Sequence, residues 1–402
     1  MGHTSRPQRT TGFVLAIVLT ALLMAAASAP SPFYPALAQR FTLSPVAITV
    51  VFAIYAFTLL ATLLVFGSLS DRLGRRPIIA VGSVILAVSL LLFWRADDLA
   101  ALLVARALQG VAAGLLIPAL SAMMVDSAPP RHPGAAALWN TAAPMTGLGL
   151  GALGASAMLD LTADPLDVVF GFLVGTFTLA AAIIWAVPET APPGQPRRVT
   201  LRPRLAVPAR ARTMLLLTSP SIIAGWATNG LFLALGTSLV KAEFNAESHV
   251  RQASTIFLLA AFGILASIVL SRYPPRTISI YGAGALALGT TLSLLALTAH
   301  SFAGYLVAVA IVGSGFGTAF MGALRSLIPL TGEDDRAALL SVVYTISYLA
   351  FGVPTIVAGL LVPVLSLRGT MIAIGAVIVL LGAATVVARV LVKESPGVVP
   401  RT

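Results

Sequence analysis

The stretch GSLSDRLGRRP, Gly67–Pro77, is the densest run of charge between two long apolar segments of the chain. It predicts a very short turn at a membrane surface. Gly67 and Gly74 allow the backbone a close approach or a positive φ. If the turn is helical, Asp71 and Arg75 share one face, because residues four apart are neighbours on a helix. Three basic residues place the turn on the cytoplasmic side: Arg72, Arg75 and Arg76.

The composition around this turn is that of a membrane protein. Of the 402 residues, 58% are hydrophobic and only 10% are charged, and the mean hydropathy is +0.97. Soluble domains are far more polar, and membrane barrels show short alternating segments in place of long apolar runs. We therefore predict an all-α protein embedded in a lipid bilayer.

Several classes of function find no support in the composition. In a membrane protein the distribution of the net charge of +11 reports topology. The sequence contains no basic stripe with interleaved aromatic residues, which would indicate nucleic-acid binding. The chain has no cysteine, and its four histidines are scattered. We therefore expect no metal site, no bound cofactor and no enzyme constellation.

Apolar runs of the length needed to cross a bilayer divide the chain into twelve helices. Twelve crossings place both termini on one side. The predicted spans are 12–37, 44–66, 77–95, 98–125, 134–159, 166–187, 213–240, 253–271, 276–299, 302–330, 336–363 and 369–391.

The distribution of Lys and Arg orients these spans with both termini in the cytoplasm. Most of the 25 basic residues fall in the termini and in the loops on the same side. The opposite side carries only Arg40, Arg95, Lys241, Arg251 and Arg368.

A polar stretch rich in arginine and proline halves the chain. It gives a first half of residues 1–187, a linker of residues 188–212 and a second half of residues 213–402. The linker is either a tether on the anionic cytoplasmic leaflet or a regulatory segment. The halves echo each other weakly, since Pro144 corresponds to Pro354 at an offset of 210 residues, as expected for parallel repeats.

The pattern G-x-L-x-D-R-x-G-R-R in the Gly67 turn resembles the signature of the major facilitator superfamily, between its second and third helices. The resemblance implies two pseudo-symmetric six-helix bundles that rock around a midplane site. In superfamily members an acid at the end of the fourth helix joins the signature turn, and Asp126 occupies that position here. The implied latch of Asp71, Arg75 and Asp126 would hold the outward-open state. The alternatives are that the Gly67 turn is an ordinary positive-inside loop and that Asp126 is a simple charge at a helix end.

Arg106 lies inside the fourth span, where a charge is costly unless it faces a cavity or a partner. Arg106, Gln109 and Gly110 match a helix-4 motif of the superfamily, which implies a cavity-lining arginine in proton or substrate coupling. Snorkelling to the external headgroups is the alternative. The family fold implies further cavity residues, for which ordinary packing is also possible: Tyr34, Asn229, Phe320, Met321 and Arg325.

The fifth span is rich in glycine and resembles the antiporter motif G-P-x-x-G-G of the superfamily. The matching positions are Asn140, Pro144, Gly147 and Gly151. Ala143 and Leu148 stand where the motif has glycines, so glycine-mediated packing without any meaning for direction remains an alternative.

All acidic residues fall in loops or at the ends of spans, so proton coupling would run through Arg106 or a span-end acid such as Asp126, or would not exist. The resemblance extends to bacterial twelve-helix drug/proton antiporters. We expect a monomer in the bacterial cytoplasmic membrane that exports a hydrophobic small molecule in exchange for protons. An importer or uniporter of a small metabolite is the alternative, followed by a non-transporting receptor or enzyme.

Overall fold

The computed structural model describes residues 6–130, 134–191 and 205–392, and within these ranges all regular secondary structure is helical. The first half contains α1 Arg6–Ser28, α2 Tyr34–Arg40, α3 Pro45–Phe66, α4 Ser70–Leu73, α5 Arg75–Trp94, α6 Leu99–Asp126, α7 Ala135–Leu161 and α8 Pro165–Ile183. The second half contains α9 Ala209–Leu231, α10 Thr237–Phe244, α11 His249–Leu270, α12 Pro275–Thr298, α13 Phe302–Leu327 and α14 Glu333–Leu391. A π-helical turn, Phe232–Gly236, joins α9 to α10.

The last helix crosses the membrane twice. Eleven helical stretches are long and apolar enough to span a bilayer, and the last of them, Asp335–Leu391, has 57 residues, about 85 Å at the α-helical rise. The helix breaks at Ser366, whose φ of 63° and ψ of 168° are not helical. Beyond the break the chain returns, because Leu339 and Arg389 both reach the beginning of α9. The twelve predicted crossings are therefore confirmed in the described part of the chain.

Polar caps and prolines explain where several helices begin. Ser44 accepts a hydrogen bond from the backbone of α3, Asp98 from that of α6 and Ser301 from that of α13, which satisfies N–H groups that the first turn leaves free. The helix α9 begins at Ala209, after Pro208 in extended conformation. This start lies inside the predicted linker 188–212, of which residues 192–204 lie outside the described ranges.

The helices form two groups that follow the halves of the sequence. In the first, α6 packs on α1, α3 and α5, while α7 packs on α1 and α8 on α5. In the second, α13 packs on α11 and α12, while α14 packs on α9 and α12. The seam between them is formed by α7 against α11 and by α3 against α14.

The helical bundle has two ends. We call the end with the Gly67 turn, Asp126 and Glu189 the linker face, and the sequence predicts that it is cytoplasmic. We call the opposite end, with Asp160 and the break at Ser366, the far face.

Candidate functional site

Arg75 is the centre of a charge cluster at the linker face. Its guanidinium pairs with Asp71 on α4, lies 3.2 Å from Asp126 at the end of α6 and donates to the Ser70 hydroxyl at 2.8 Å. Arg75 is only 6% exposed, so these interactions are stronger than those of a surface ion pair. The structure thus brings together the three residues that the sequence assigned to a latch.

Glu189, which the sequence analysis did not assign to the cluster, closes it from the segment after α8. Its carboxylate accepts hydrogen bonds from the backbone N–H groups of Arg75 at 2.9 Å and Arg76 at 3.1 Å. Gly74 makes room for it, since its φ is 100° and a Cβ there would lie 2.6 Å from a Glu189 oxygen. Glycine is therefore required at position 74 by both conformation and space.

The Glu189 carboxylate caps the N-terminus of α5, where the helix dipole favours negative charge. Partial burial raises the pKa of this carboxyl, but backbone hydrogen bonds from its own segment and from the first residues of α5 outweigh that cost and leave the pKa below its usual range. The stabilisation by Glu189 is therefore complete above the usual carboxyl pKa, and it is lost as the pH falls through the lower folded value.

The other residues of the predicted latch support the turn. Arg76 lies 5.1 Å from the ring centroid of Trp185 and donates to its carbonyl oxygen. Arg72 is half-buried in α4. Gly67 ends α3 with an ordinary helical φ of −58°, so of the two glycines only Gly74 uses a positive φ.

All the partners that Arg75 has in the described part of the chain belong to the first half or, in the case of Glu189, to the segment directly after it. Asp71 is 58% exposed at its side chain. In this conformation the described contacts of Arg75 therefore join α4, α5, α6 and the segment after α8. Its action as a latch during transport remains a prediction.

Arg106 lies about two turns from the far end of α6 and is completely buried. Its Nη1 donates to the Gln109 side chain and lies 3.4 Å from the Ala27 carbonyl oxygen. Gln109 in turn donates to the Ala26 carbonyl at 2.8 Å. Snorkelling to the headgroups is therefore wrong for this conformation, because hydrogen bonds to α1 hold the side chain inside the bundle.

Aromatic side chains surround the guanidinium. Its carbon lies 4.9 Å from the ring centroid of Tyr55 and 5.9 Å from that of Phe52, both on α3. Tyr34, the first residue of α2, is buried with its hydroxyl close to the Arg106 guanidinium. The hydroxyl makes no well-aligned hydrogen bond among the described residues. Tyr34, Arg106 and Gln109 thus lie together, and their role in lining a cavity stays a prediction.

An aromatic cluster, which the sequence analysis largely missed, continues from this group into the second half. Phe52 contacts Phe351 of α14 at 4.9 Å between ring centroids. Trp226 of α9 lies at the centre of the cluster and makes edge contacts with four rings. They are Phe316 at 6.4 Å, Phe320 at 5.8 Å, Tyr348 at 5.0 Å and Phe351 at 5.9 Å.

The second-half residues predicted to line the cavity divide into two sets. Phe320 belongs to the aromatic cluster, with half-buried Met321 next to it on α13, and Asn229 is buried on α9 with its carbonyl oxygen unpartnered. Arg325 was wrongly placed. It lies exposed in the last turn of α13 and donates to the Ser271 carbonyl oxygen, because a long side chain this close to a helix end can reach the adjoining loop.

The glycines of α7 allow a close approach of α1. A Cβ at Gly147 would collide with the backbone of Ala21, and one at Gly151 with that of Ala25. Pro144 lies within the same helix and Asn140 is half-buried near its beginning. These contacts favour packing as the role of the glycines, and any meaning for transport direction stays a prediction.

At the far face an acid of the first half caps a helix of the second. Asp160, near the end of α7, accepts hydrogen bonds from the Ser248 hydroxyl at 2.8 Å and from the backbone N–H groups of His249 at 3.0 Å and Val250 at 3.1 Å. The His249 Nδ1 lies 2.6 Å from the same carboxylate. At the far face, charged groups therefore join the two halves in this conformation.

A sequence model of the Major Facilitator Superfamily matches residues 16–240, more than half of the chain. The chain belongs to the major facilitator superfamily. The resemblance seen in the Gly67 turn is thus confirmed. This superfamily member is a multi-pass membrane transporter and not an enzyme.

One curated relative matches in part. Over 98 residues the superfamily member is 32% identical to the multidrug resistance protein MdtL of Klebsiella pneumoniae (strain 342). The match covers 24% of this chain and 25% of MdtL, so it spans about a quarter of the length of that relative.

Solved structures show the same fold over nearly the whole chain. A bacterial homologue of the human lysosomal transporter Spinster, inward-facing and unoccupied, has a TM-score of 0.75 at 15% identity, over 96% of this chain and 98% of the other. A mutant of the nucleoside transporter NupG has a TM-score of 0.72 at 12% identity, over 94% and 99%. At such identities the likeness concerns the fold alone.

Proposed function

We propose that this transporter exports a hydrophobic small molecule by alternating access of its two halves, in exchange for protons. The substrate would bind between the halves, beneath the far-face contact of Asp160 with α11. The partial match to a multidrug resistance protein agrees with this proposal but covers only 24% of the chain.

The observation that carries the proposal is the aromatic cluster at the seam. Its rings come from α3 of the first half and from α9, α13 and α14 of the second. A relative movement of the halves therefore changes from which face of the membrane a ligand can reach the cluster. Aromatic rings supply a large apolar contact area. Such a surface suits an apolar ligand better than a sugar, which needs many hydrogen-bond partners.

Proton coupling is assigned to the linker-face cluster. Asp126 combines partial exposure with a pair to Arg75, so a proton that neutralises it would weaken that pair and loosen the end of α6. The described helices carry their acidic residues at or near their ends, which leaves no carboxylate at mid-membrane for the task.

The test is transport in proteoliposomes. A thermal-shift screen of dyes, antibiotics, sugars and amino acids would first select a ligand. We then expect the movement of this ligand to accelerate when a pH gradient is imposed, compared with the same vesicles without a gradient and with protein-free liposomes. If movement of the ligand does not respond to the gradient, proton exchange is wrong and a uniporter replaces it.

A further inference from the structure

The guanidinium of Arg106 has one edge that makes no well-aligned hydrogen bond within the described part of the chain. Nη1 is bound to Gln109 and lies near Ala27, whereas Nε and Nη2 are buried and have no hydrogen-bond partner in the described part of the chain. A buried donor without an acceptor is costly, and more so when it is charged. An acceptor supplied by a ligand would satisfy this edge.

The charge of Arg106 is not neutralised either. The ion pairs found among the described residues involve Arg75, His249 and Arg368, and none involves Arg106. The rings of Tyr55 and Phe52 stabilise a cation. They do not replace a counterion, because the penalty for burying an unpaired charge is several kcal/mol.

The geometry of the free edge selects the class of ligand. Nε and Nη2 lie along the same edge of the planar guanidinium, and two such N–H groups match the two oxygens of a carboxylate. The hydroxyl of Tyr34, buried close to Arg106 and well aligned with no acceptor among the described residues, can donate a third hydrogen bond. A site with a positive charge and free donors attracts an anion and repels a cation.

The aromatic residues around Arg106 indicate the chemistry of the rest of the ligand. Phe52, which faces Arg106, also contacts Phe351 of the second half, and Phe351 contacts Trp226. An anionic group on Arg106 would therefore leave the remainder of the molecule against the aromatic cluster. Because Arg106 has no exposed surface in this conformation, the ligand reaches it when the halves separate.

We propose that Arg106 and Tyr34 bind the carboxylate of an aromatic organic anion whose apolar body packs on the cluster around Trp226. This inference rests on the proposed transport function and adds the charge and shape of the substrate. The free guanidinium edge carries it.

Binding of three probes of similar shape tests the proposal: cinnamate, its neutral analogue cinnamamide and the cation cinnamylammonium. Their affinities for the purified full-length protein in lipid nanodiscs would be measured by calorimetry, without any transport step. We expect cinnamate to bind about tenfold or more tightly than the amide, because it gains charge-assisted hydrogen bonds. The cation should bind most weakly.

Variants then locate the preference. Arg106→Gln should abolish the advantage of cinnamate over the amide, Arg106→Lys should keep part of it, and Tyr34→Phe should reduce it. Arg251→Gln is the matched control. Arg251 also lies over an aromatic ring, that of Phe302 at 5.0 Å, but it lies in the first turn of α11, at the far face. If Arg106→Gln fails to fold, the relative affinities of the three probes for the wild type and for Arg106→Lys still test the proposal.

Several results would overturn the proposal. They are an equal affinity of the wild type for cinnamate and the amide, a preference for the cation, no binding of cinnamate up to its solubility limit, or a carboxylate preference that survives in Arg106→Gln. Tight binding of chloride that excludes cinnamate would also do so. Failure of export in proteoliposomes with an intact cinnamate preference would instead count against the transport proposal alone.

Discussion

Replacing Gly147 with alanine is expected to lower the stability of the folded protein strongly. The new methyl group would collide with the carbonyl oxygen and Cα of Ala21 on α1, and backbone atoms cannot turn aside as a side chain can. Overpacking of this kind costs about 1–3 kcal/mol, which exceeds the gain of at most about 1 kcal/mol from replacing a helical glycine with alanine. Thermal unfolding in one detergent would show the loss as a lower melting temperature.

Gly154→Ala is the matched control for this experiment. Gly154 lies two turns further along α7, and a Cβ there would meet no atom within 4 Å. The control should melt at or slightly above the wild-type temperature. Equal melting temperatures for Gly147→Ala and Gly154→Ala would contradict the close packing of α7 on α1.

Replacing Arg75 with glutamine is expected to reduce transport more than any other single change at the linker face. The variant loses the pairs with Asp71 and Asp126 and leaves the Asp126 carboxylate partly buried. Removing one partner of a buried pair costs about 3–5 kcal/mol, and we expect about 1–3 kcal/mol here because Asp71 is largely exposed. Initial transport rates should fall about tenfold or more, while insertion into the membrane is retained.

The corresponding loop of the second half provides the control. Arg272 is exposed in the loop between α11 and α12, which takes the place of the Gly67 turn in the repeat but lacks its glycines and acid. Arg272→Gln removes one positive charge on the same face, so we expect near-normal rates. A similar loss in both variants would show that surface charge matters and the cluster does not.

Most of the fold could be predicted from the sequence, because a helix that crosses a bilayer must be apolar over its whole length. Hydropathy separated the two crossings of α14 at residues 363–369, and the structure breaks that helix at Ser366. The resemblance of the Gly67 turn to the superfamily signature, and not hydropathy, implied that Asp71, Arg75 and Asp126 would meet.

The aromatic cluster could not be predicted in the same way. Phe52, Trp226 and Phe351 are separated by up to 300 residues, and nothing in an apolar run shows which face of a membrane helix points to the seam. The caps supplied by Glu189 and Asp160 were missed for a related reason. Both bind backbone N–H groups of helices distant in sequence, and a backbone partner leaves no signature in the residue types.

The most direct test of alternating access is a pair of distances measured in one protein. The chain contains no cysteine, so spin labels can be attached to introduced pairs without removing native residues. Ala163 and Lys241 are exposed on the far face, and Leu73 and Arg336 are exposed on the linker face. Electron–electron resonance in nanodiscs would compare the two distances with and without a ligand selected by the thermal-shift screen.

Alternating access predicts that the two distances change in opposite directions. The far-face pair should lengthen when the linker-face pair shortens, because the halves pivot about the seam formed by α3, α7, α11 and α14. Distances that stay fixed under every condition, or that lengthen together, would contradict it.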